Sequence, residues 1–158
     1  LADARLADGD LPAAGRLCQR AIDANPGLAQ AHETLALVHF AEKDWPGAER
    51  AARRAIELEP SRFVANLHLG LAIDRQPQRR QEAFEQLQTT RRRHPDRWEP
   101  YYYLAAILGS AGQGTEAMRF VNRAARLSPG NRLVEELRQR LEVATPAAPQ
   151  PEGEGAGG

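Results

Sequence analysis

A short repeating unit constrains this chain more than any other feature of its sequence. Four prolines recur at intervals of 34, 35 and 34 along the chain, and these are Pro26, Pro60, Pro95 and Pro129. A ladder of alanines has the same three intervals and consists of Ala14, Ala48, Ala83 and Ala117. Because separate columns share one register, the chain is predicted to be a stack of copies of one structural unit.

The longer interval places one extra residue between Gly70 and Ala83. An insertion inside a helix would rotate every later side chain by about 100°. A surface turn accepts an extra residue at little cost. We therefore expect a turn at residues 75–80, between two helices.

Each unit is predicted to be a pair of helices. In the second unit an apolar run begins at Leu35, and a later stripe with helical spacing contains Ala48, Ala52 and Ala55. Proline is tolerated in the first turn of a helix, as at Pro12 and Pro46. Asp10 and Asp44 precede these prolines, where an N-terminal cap is expected.

Composition excludes several other classes of protein. Alanine is the most frequent residue type and aromatic side chains make up only 6% of the chain, which suits closely packed helices and argues against an all-β fold. The formal net charge is zero, so no overall field favours nucleic acid or an anionic membrane. One cysteine, Cys18, cannot form an intrachain disulfide, and no apolar run reaches the length of a membrane span.

These columns resemble the tetratricopeptide repeat, a helix–turn–helix unit with the loose signature W-x2-L-G-x2-Y, then A-x3-F-x2-A, then P. The fourth unit carries the resemblance best, through Tyr101, Leu104, Ala105, Gly112, Ala117, Ala124 and Pro129. The second unit matches through Leu35, Ala36, Asp44, Ala48, Ala55 and Pro60, and the third through Leu69, Gly70, Ala83 and Pro95.

The chain departs from the signature at two columns and in one helix. The tryptophan column carries His32 and Asn66, and the tyrosine column carries His39, Ile73 and Leu108. The third unit has Thr90, Arg91 and Arg93 where packing residues are usual. Its second helix is therefore expected to be the least stable.

The resemblance implies an all-α fold, a right-handed α-solenoid with a C-terminal capping helix. The expected organisation is a truncated first unit at residues 1–26, complete repeats at 27–60, 61–95 and 96–129, a capping helix at 130–144 and a disordered tail at 145–158. A bacterial source is a further expectation from the resemblance.

The sequence contains no motif that indicates an enzyme, a metal site or a cofactor. It has no Gly-rich phosphate loop, no nucleophile elbow and no HExxH motif. His32 and His39 fall in packing columns, and Cys18 is interpreted as a buried, inert thiol. The arginines at 79–80 and 91–93 are interpreted as a solvated outer face, because acidic residues are interspersed with them. We therefore expect no catalysis, no metal, no cofactor and no nucleic-acid partner.

The resemblance assigns binding to the inner, concave face, which first helices line. Carried onto this sequence, the predicted groove is apolar and aromatic with a few polar groups: Glu33, Thr34, Leu37, Phe40, Leu67, His68, Leu71, Arg75, Glu99, Tyr102, Tyr103 and Ala106. It lacks the Lys, Asn and Arg set with which some family members clamp the terminal carboxylate of chaperone tails. A groove of this kind suits an apolar or amphipathic segment of a protein partner.

Several alternatives remain open at the level of sequence. The chain is expected to be a non-catalytic adaptor or assembly scaffold, and the alternative is a regulatory arm of an enzyme whose catalytic domain lies upstream of Leu1. Self-association through the exposed end of the first unit is a third expectation. No membrane insertion is expected. The compartment stays undetermined, with a cytoplasmic location favoured over a periplasmic one for a soluble protein.

Overall fold

The computed structural model describes residues 2, 5 and 9–144, and residues 9–144 form eight helices with no strand among them. The helices are α1 (Leu11–Ala24), α2 (Ala29–Ala41), α3 (Trp45–Leu58), α4 (Phe63–Asp74), α5 (Arg80–Arg93), α6 (Glu99–Ser110), α7 (Gly114–Leu127) and α8 (Arg132–Ala144). Consecutive helices pack on each other, which gives the predicted all-α solenoid. The predicted tail at 145–158 lies outside the described residues.

The second helix of every unit keeps the register that the ladders predict. These helices begin at Leu11, Trp45, Arg80 and Gly114, so their first positions are spaced 34, 35 and 34 apart. The extra residue of the third unit lies in the turn between α4 and α5, as predicted. All four members of the alanine ladder are 0% exposed, so each allows its helix a close approach to a neighbour.

Both predicted N-terminal caps are confirmed. The carboxylate of Asp10 accepts a hydrogen bond from the backbone N–H of Ala13 at 3.1 Å, and Asp44 accepts one from Gly47 at 3.0 Å. Each aspartate therefore satisfies a backbone donor that the first turn of a helix leaves unpaired.

The side chains at the tryptophan position of the signature share one structural role. Asn66 Nδ2 donates to the carbonyl oxygen of Pro60 at 2.9 Å, and the Tyr101 hydroxyl donates to that of Pro95 at 3.2 Å. His32 Nε2 lies 3.0 Å from the carbonyl oxygen of Pro26. In each of these units a polar side chain therefore reaches back to a carbonyl oxygen in the linker between repeats and satisfies it.

The second helix of the third unit uses its polar residues in contacts. Thr90 is fully buried, and its hydroxyl donates to the carbonyl oxygen of Gln86 at 2.9 Å. Arg93 Nη1 donates to the carbonyl oxygen of Pro60 at 3.1 Å, in the preceding linker. These contacts tie α5 to its surroundings, and its lower stability stays a prediction.

Two hydrophobic clusters form the core, and α6 contributes to both. The first cluster is centred on α4 and α5 and also takes in Leu104 and Ile107 of α6. The second cluster joins α6 to α7 and α8 through Tyr101, Leu108 and Val121. α6 therefore links the two clusters into one continuous core.

Candidate functional site

A pocket opens between α4 and α6, where these two first helices pack less closely than the pairs α2–α4 and α6–α8. Its volume is about 200 Å³. We call it the tyrosine pocket, and it is lined by Leu71, Asp74, Arg75, Arg80, Leu87, Tyr102, Tyr103, Ala106, Ile107 and Ser110. Leu87 of α5 is fully buried, so the second helix of the third unit closes the inner end of this gap.

Five of the twelve residues predicted for the groove meet in the tyrosine pocket. They are Leu71, Arg75, Tyr102, Tyr103 and Ala106. Leu71 is mostly buried and belongs to the core, whereas both tyrosines and Ala106 are half-buried and Arg75 is exposed. The exposed and half-buried members therefore form a surface that a partner can reach.

Two tyrosine rings line the pocket on the α6 side, and the Trp98 ring packs against one of them. The rings of Trp98 and Tyr102 meet edge to face with centroids 5.9 Å apart, and those of Tyr102 and Tyr103 at 5.0 Å. Burial raises the pKa of the Tyr103 hydroxyl, and the neighbouring Tyr102 adds to this effect. Tyr103 is therefore a neutral hydrogen-bonding group at physiological pH, on an otherwise apolar surface.

A second recess continues the surface across α8. It has a volume of about 730 Å³ and is lined by Tyr102, Leu133, Glu136, Gln139, Arg140 and Val143. Tyr102 borders both cavities, so the tyrosine pocket and this α8 recess are adjacent, and we call the two together the groove. Leu133 and Val143 are 51% and 86% exposed, which leaves two large apolar side chains of α8 open to solvent.

The sequence prediction missed the α8 residues of the groove, although the repeat register identifies them. Adding 34 to the positions of the predicted residues Glu99, Tyr102 and Ala106 gives Leu133, Glu136 and Arg140, which all line the α8 recess, whereas Val143 falls in the column of Gly109, which the prediction did not include. α8 therefore continues the series of first helices as well as covering the end of the array.

Three other predicted groove residues form a separate group near α2. Phe40 meets the His68 ring edge to face, with centroids 5.3 Å apart, and Leu37 is half-buried on the same helix as Phe40. His68 Nδ1 lies 3.0 Å from the carbonyl oxygen of Val64. Burial lowers the pKa of His68, so the ring is neutral at pH 7 and its Nδ1–H donates to that carbonyl.

The remaining predicted residues are engaged within the array. Glu33 is buried, accepts a hydrogen bond from the backbone N–H of Ala65 at 3.0 Å and pairs with Arg62 at 2.9 Å. Its carboxylate thus caps α4 from the preceding unit, because the N-cap residue Arg62 provides no side-chain acceptor. Thr34 and Leu67 are buried, and Glu99 pairs with Arg97.

The arginine-rich segments lie at the surface, where Arg80, Arg92 and Arg93 are exposed, and several of their side chains also make specific intramolecular contacts. The Arg91 guanidinium lies over the rings of Tyr101 and Phe120 at 5.7 and 5.8 Å. Arg79 and Arg53 bind Glu49 and Glu82, and Arg79 holds the pKa of Glu49 down to about 2. Most of these arginines therefore connect neighbouring helices.

Other features of the chain give no site of their own. Among residues 2, 5 and 9–144, no cluster of three or more His, Cys, Asp or Glu side chains is placed to hold a metal ion. Cys18 is buried and lines an apolar recess of about 300 Å³ between α1 and α2. Within the described part of the chain, no helix has the length and apolar character that crossing a membrane requires.

Solved structures with a similar fold are tetratricopeptide repeat proteins of several origins. The crystal structure of MamA superposes with a TM-score of 0.77 and 18% identity, over 90% of this chain and 83% of that one. Pseudomonas aeruginosa pilF superposes with a TM-score of 0.81 and 21% identity, over 90% of this chain and 65% of that one. The TPR2B domain of yeast Sti1, in complex with pHsp70, superposes with a TM-score of 0.67 and 17% identity, over 74% of this chain and 98% of that one. At such identities the likeness shows the fold.

Comparison with the curated proteins gives no match. The family model described as tetratricopeptide repeat matches residues 1–63 and 78–132, which is most of the chain. The matched ranges span the ladders of proline and alanine, and the gap between them, residues 64–77, covers most of α4 and the start of the longer turn that follows it. The chain therefore belongs to the tetratricopeptide repeat family.

Proposed function

We propose that this protein is a non-catalytic protein–protein interaction module that binds an apolar or amphipathic segment of a partner in the groove formed by α4, α6 and α8. The observation that carries the proposal is the aromatic surface of Trp98, Tyr102 and Tyr103 beside the two cavities. Aromatic side chains in a partly formed pocket supply most of the binding energy in many protein interfaces.

The exposed apolar side chains of α8 support the same location. Leu133 and Val143 border the α8 recess together with Tyr102, so a partner segment that fills this recess can reach all three side chains. Contiguous apolar surface of this kind is typical of interaction sites on otherwise polar proteins. The groove thus offers an apolar strip across α6 and α8.

The fold supports a protein as the class of ligand. The yeast Sti1 TPR2B domain shares the fold and was solved in complex with pHsp70. In this chain the predicted groove lacks a cluster of Lys and Asn side chains, and it contains two half-buried tyrosines. We therefore propose that apolar anchors contribute more to recognition here than a terminal carboxylate.

A random peptide library displayed on phage tests this proposal. We expect the wild-type protein to select peptides with a shared spacing of apolar residues. The Tyr102→Ala/Tyr103→Ala variant is expected to bind those peptides at least about tenfold more weakly, because two aromatic anchors are lost. Fluorescence anisotropy with labelled peptides measures the affinities.

The matched control is Arg119→Ala, which changes an exposed residue of α7 outside both cavities. Circular dichroism establishes that both variants keep the helicity and melting temperature of the wild type. Selection of no peptide, or equal binding by the wild type and the double tyrosine variant, would contradict the proposal.

A further inference from the structure

The charges around the groove are unevenly paired. Both carboxylates of its lining have a guanidinium partner: Asp74 lies 3.8 Å from Arg80, and Glu136 lies 2.9 Å from Arg132. Two arginines of the lining, Arg75 and Arg140, form no ion pair among the described residues. The groove therefore carries two positive charges that no side chain of the described chain neutralises.

These two arginines flank the aromatic surface. Arg75 lines the tyrosine pocket from the end of α4, and its charge acts on the Tyr103 hydroxyl against the effect of burial. Arg140 lines the α8 recess, where its Nε contacts the carbonyl oxygen of Glu136 at 3.4 Å. Tyr102 borders both cavities, so its ring lies between the cavity that contains Arg75 and the cavity that contains Arg140.

We propose that the segment bound in the groove is acidic on both sides of its apolar anchor, with one carboxylate on Arg75 and another on Arg140. This inference rests on the proposed function and specifies the chemistry of the partner.

Desolvation is the physical reason for this preference. A segment that covers the tyrosines also removes water from the neighbouring guanidinium groups, and a buried charge without a partner is costly. A carboxylate compensates that loss with short, charge-assisted and often bidentate hydrogen bonds. An uncharged segment would leave both arginines without such a partner, and a basic segment would repel them.

The fold also sets the spacing of the acidic groups. Packed helices lie about 8–10 Å apart, and α4 and α6 pack less closely than that, so the width from α4 across α6 to α8 is at least about 20 Å. An extended segment advances about 3.3 Å per residue. The two acidic residues are therefore expected at least about six positions apart, with the apolar anchor between them.

Charge reversal tests the inference. A random peptide library is panned against the wild type, against Arg75→Glu/Arg140→Glu, and against Arg119→Glu/Arg126→Glu. The control pair lies on the exposed face of α7 and makes the same change in net charge. We expect acidic residues flanking the anchor in peptides selected by the wild type and the control, and basic residues in those selected by the groove variant.

Affinity gives the second readout. The best acidic peptide is expected to bind Arg75→Glu/Arg140→Glu on the order of 10- to 100-fold more weakly than the wild type, and binding to the wild type should weaken as salt is added. A version of the same peptide with Gln in place of Glu should bind the wild type and Arg75→Glu/Arg140→Glu with nearly equal affinity. Circular dichroism establishes that the charge variants remain folded.

The outcomes separate this inference from the proposed function. Selection of apolar peptides without any charge preference, lost on Tyr102→Ala/Tyr103→Ala, would overturn the acidic partner and leave the groove as a binding site. Selection that is indifferent to the tyrosines would overturn both. If Glu152→Gln/Glu154→Gln in the whole chain strengthens peptide binding at least about tenfold, the acidic occupant is the protein's own C-terminal segment and the inference of a separate partner is wrong.

Discussion

One backbone position of the repeat adopts a left-handed conformation in every unit. It is occupied by Gly9, Lys43, Gln78 and Gly112, with φ values of 78°, 62°, 61° and 75°. The intervals are again 34, 35 and 34, so the position is a property of the turn between paired helices. Glycine adopts this conformation freely, whereas it costs Lys and Gln about 1–2 kcal/mol.

Glycine at both strained positions should therefore stabilise the protein. For Lys43→Gly/Gln78→Gly we expect the free energy of unfolding to rise by about 1 kcal/mol in total. Relief of backbone strain contributes about 1–2 kcal/mol at each position, and the greater freedom of glycine in the unfolded chain offsets about 0.4–1 kcal/mol. Urea unfolding followed by circular dichroism measures the change.

Gly112→Ala provides the reverse control. A Cβ atom added at Gly112 would meet no atom within 4 Å, so its effect is purely conformational. We expect this variant to lose about 1 kcal/mol. A double glycine variant that unfolds at the same or a lower urea concentration than the wild type would show that the turn is not strained.

For single residues, the sequence correctly predicted the interactions that form between residues close together in the chain. The caps at Asp10 and Asp44 follow from a residue type and the helix that comes after it. The role of Glu33 did not follow in this way, because its partners Arg62 and Ala65 belong to the next unit. A contact between repeats depends on the angle at which they stack, which no single unit encodes.

At the scale of elements, two facing columns compensate each other in size. Gly70 on α4 faces Leu87 on α5, and a Cβ atom added at Gly70 would lie 2.8 Å from Leu87 Cγ. In the fourth unit the same columns hold Ala105 and Val121, a larger residue with a smaller one. All three side chains, Leu87, Ala105 and Val121, are 0% exposed, so neither pair has spare room.

This compensation predicts coupling between the two positions. Gly70→Ala alone should overpack the contact and cost about 1–3 kcal/mol of unfolding free energy. Leu87→Val alone should cost about 1 kcal/mol through the lost methylene group. Gly70→Ala/Leu87→Val reproduces the pair of the fourth unit, and its loss should be at least about 1 kcal/mol smaller than the sum. Urea unfolding of the wild type, the two single variants and the double variant completes this double-mutant cycle. A loss of unfolding free energy in the double variant that equals the sum of the two single losses would contradict the prediction.

The sequence predicted the elements well and the groove in part. Prolines and alanines mark where second helices begin and how closely they pack, because both residue types act through local backbone geometry. α8 was predicted only as a cap, since its buried residues Val134 and Leu137 dominate its pattern. Its groove residues became evident from the register of the preceding unit, where Tyr102 stands one repeat before Glu136.

At the scale of the whole molecule, the groove exists because the stacking is uneven. α4 and α6 pack less closely than the other pairs of first helices, and the tyrosine pocket occupies the gap. The linker between α5 and α6 covers residues 94–98, one residue longer than the linkers at 25–28, 59–62 and 128–131. A sequence period predicts that units stack, but the width of each joint depends on how linker and core side chains fit together.

Stability should follow the same one-dimensional organisation, because each unit of a solenoid contacts only its neighbours. α8 covers the end of the second hydrophobic cluster with Val134, Leu137 and Leu141, and a Cβ atom at Gly109 would lie 2.6 Å from Leu141. Burying each such side chain contributes about 1.5–3 kcal/mol, out of the roughly 5–15 kcal/mol that is typical of a whole domain. Removal of α8 should therefore destabilise the helices next to it strongly and the distant helices little.

A chain that ends at residue 130 is expected to lose several kcal/mol of unfolding free energy, with the loss concentrated in α6 and α7. Native-state hydrogen exchange measures this directly: amides of α6 and α7 should exchange far faster than in the wild type, whereas those of α2 and α3 should change little. A chain that ends at Ala144 is the control, because it keeps every side chain of the cluster. Equal loss of protection in all helices would contradict local coupling, since it would mean that the array unfolds as one cooperative unit and that a partner bound at α6 and α8 stabilises the whole molecule.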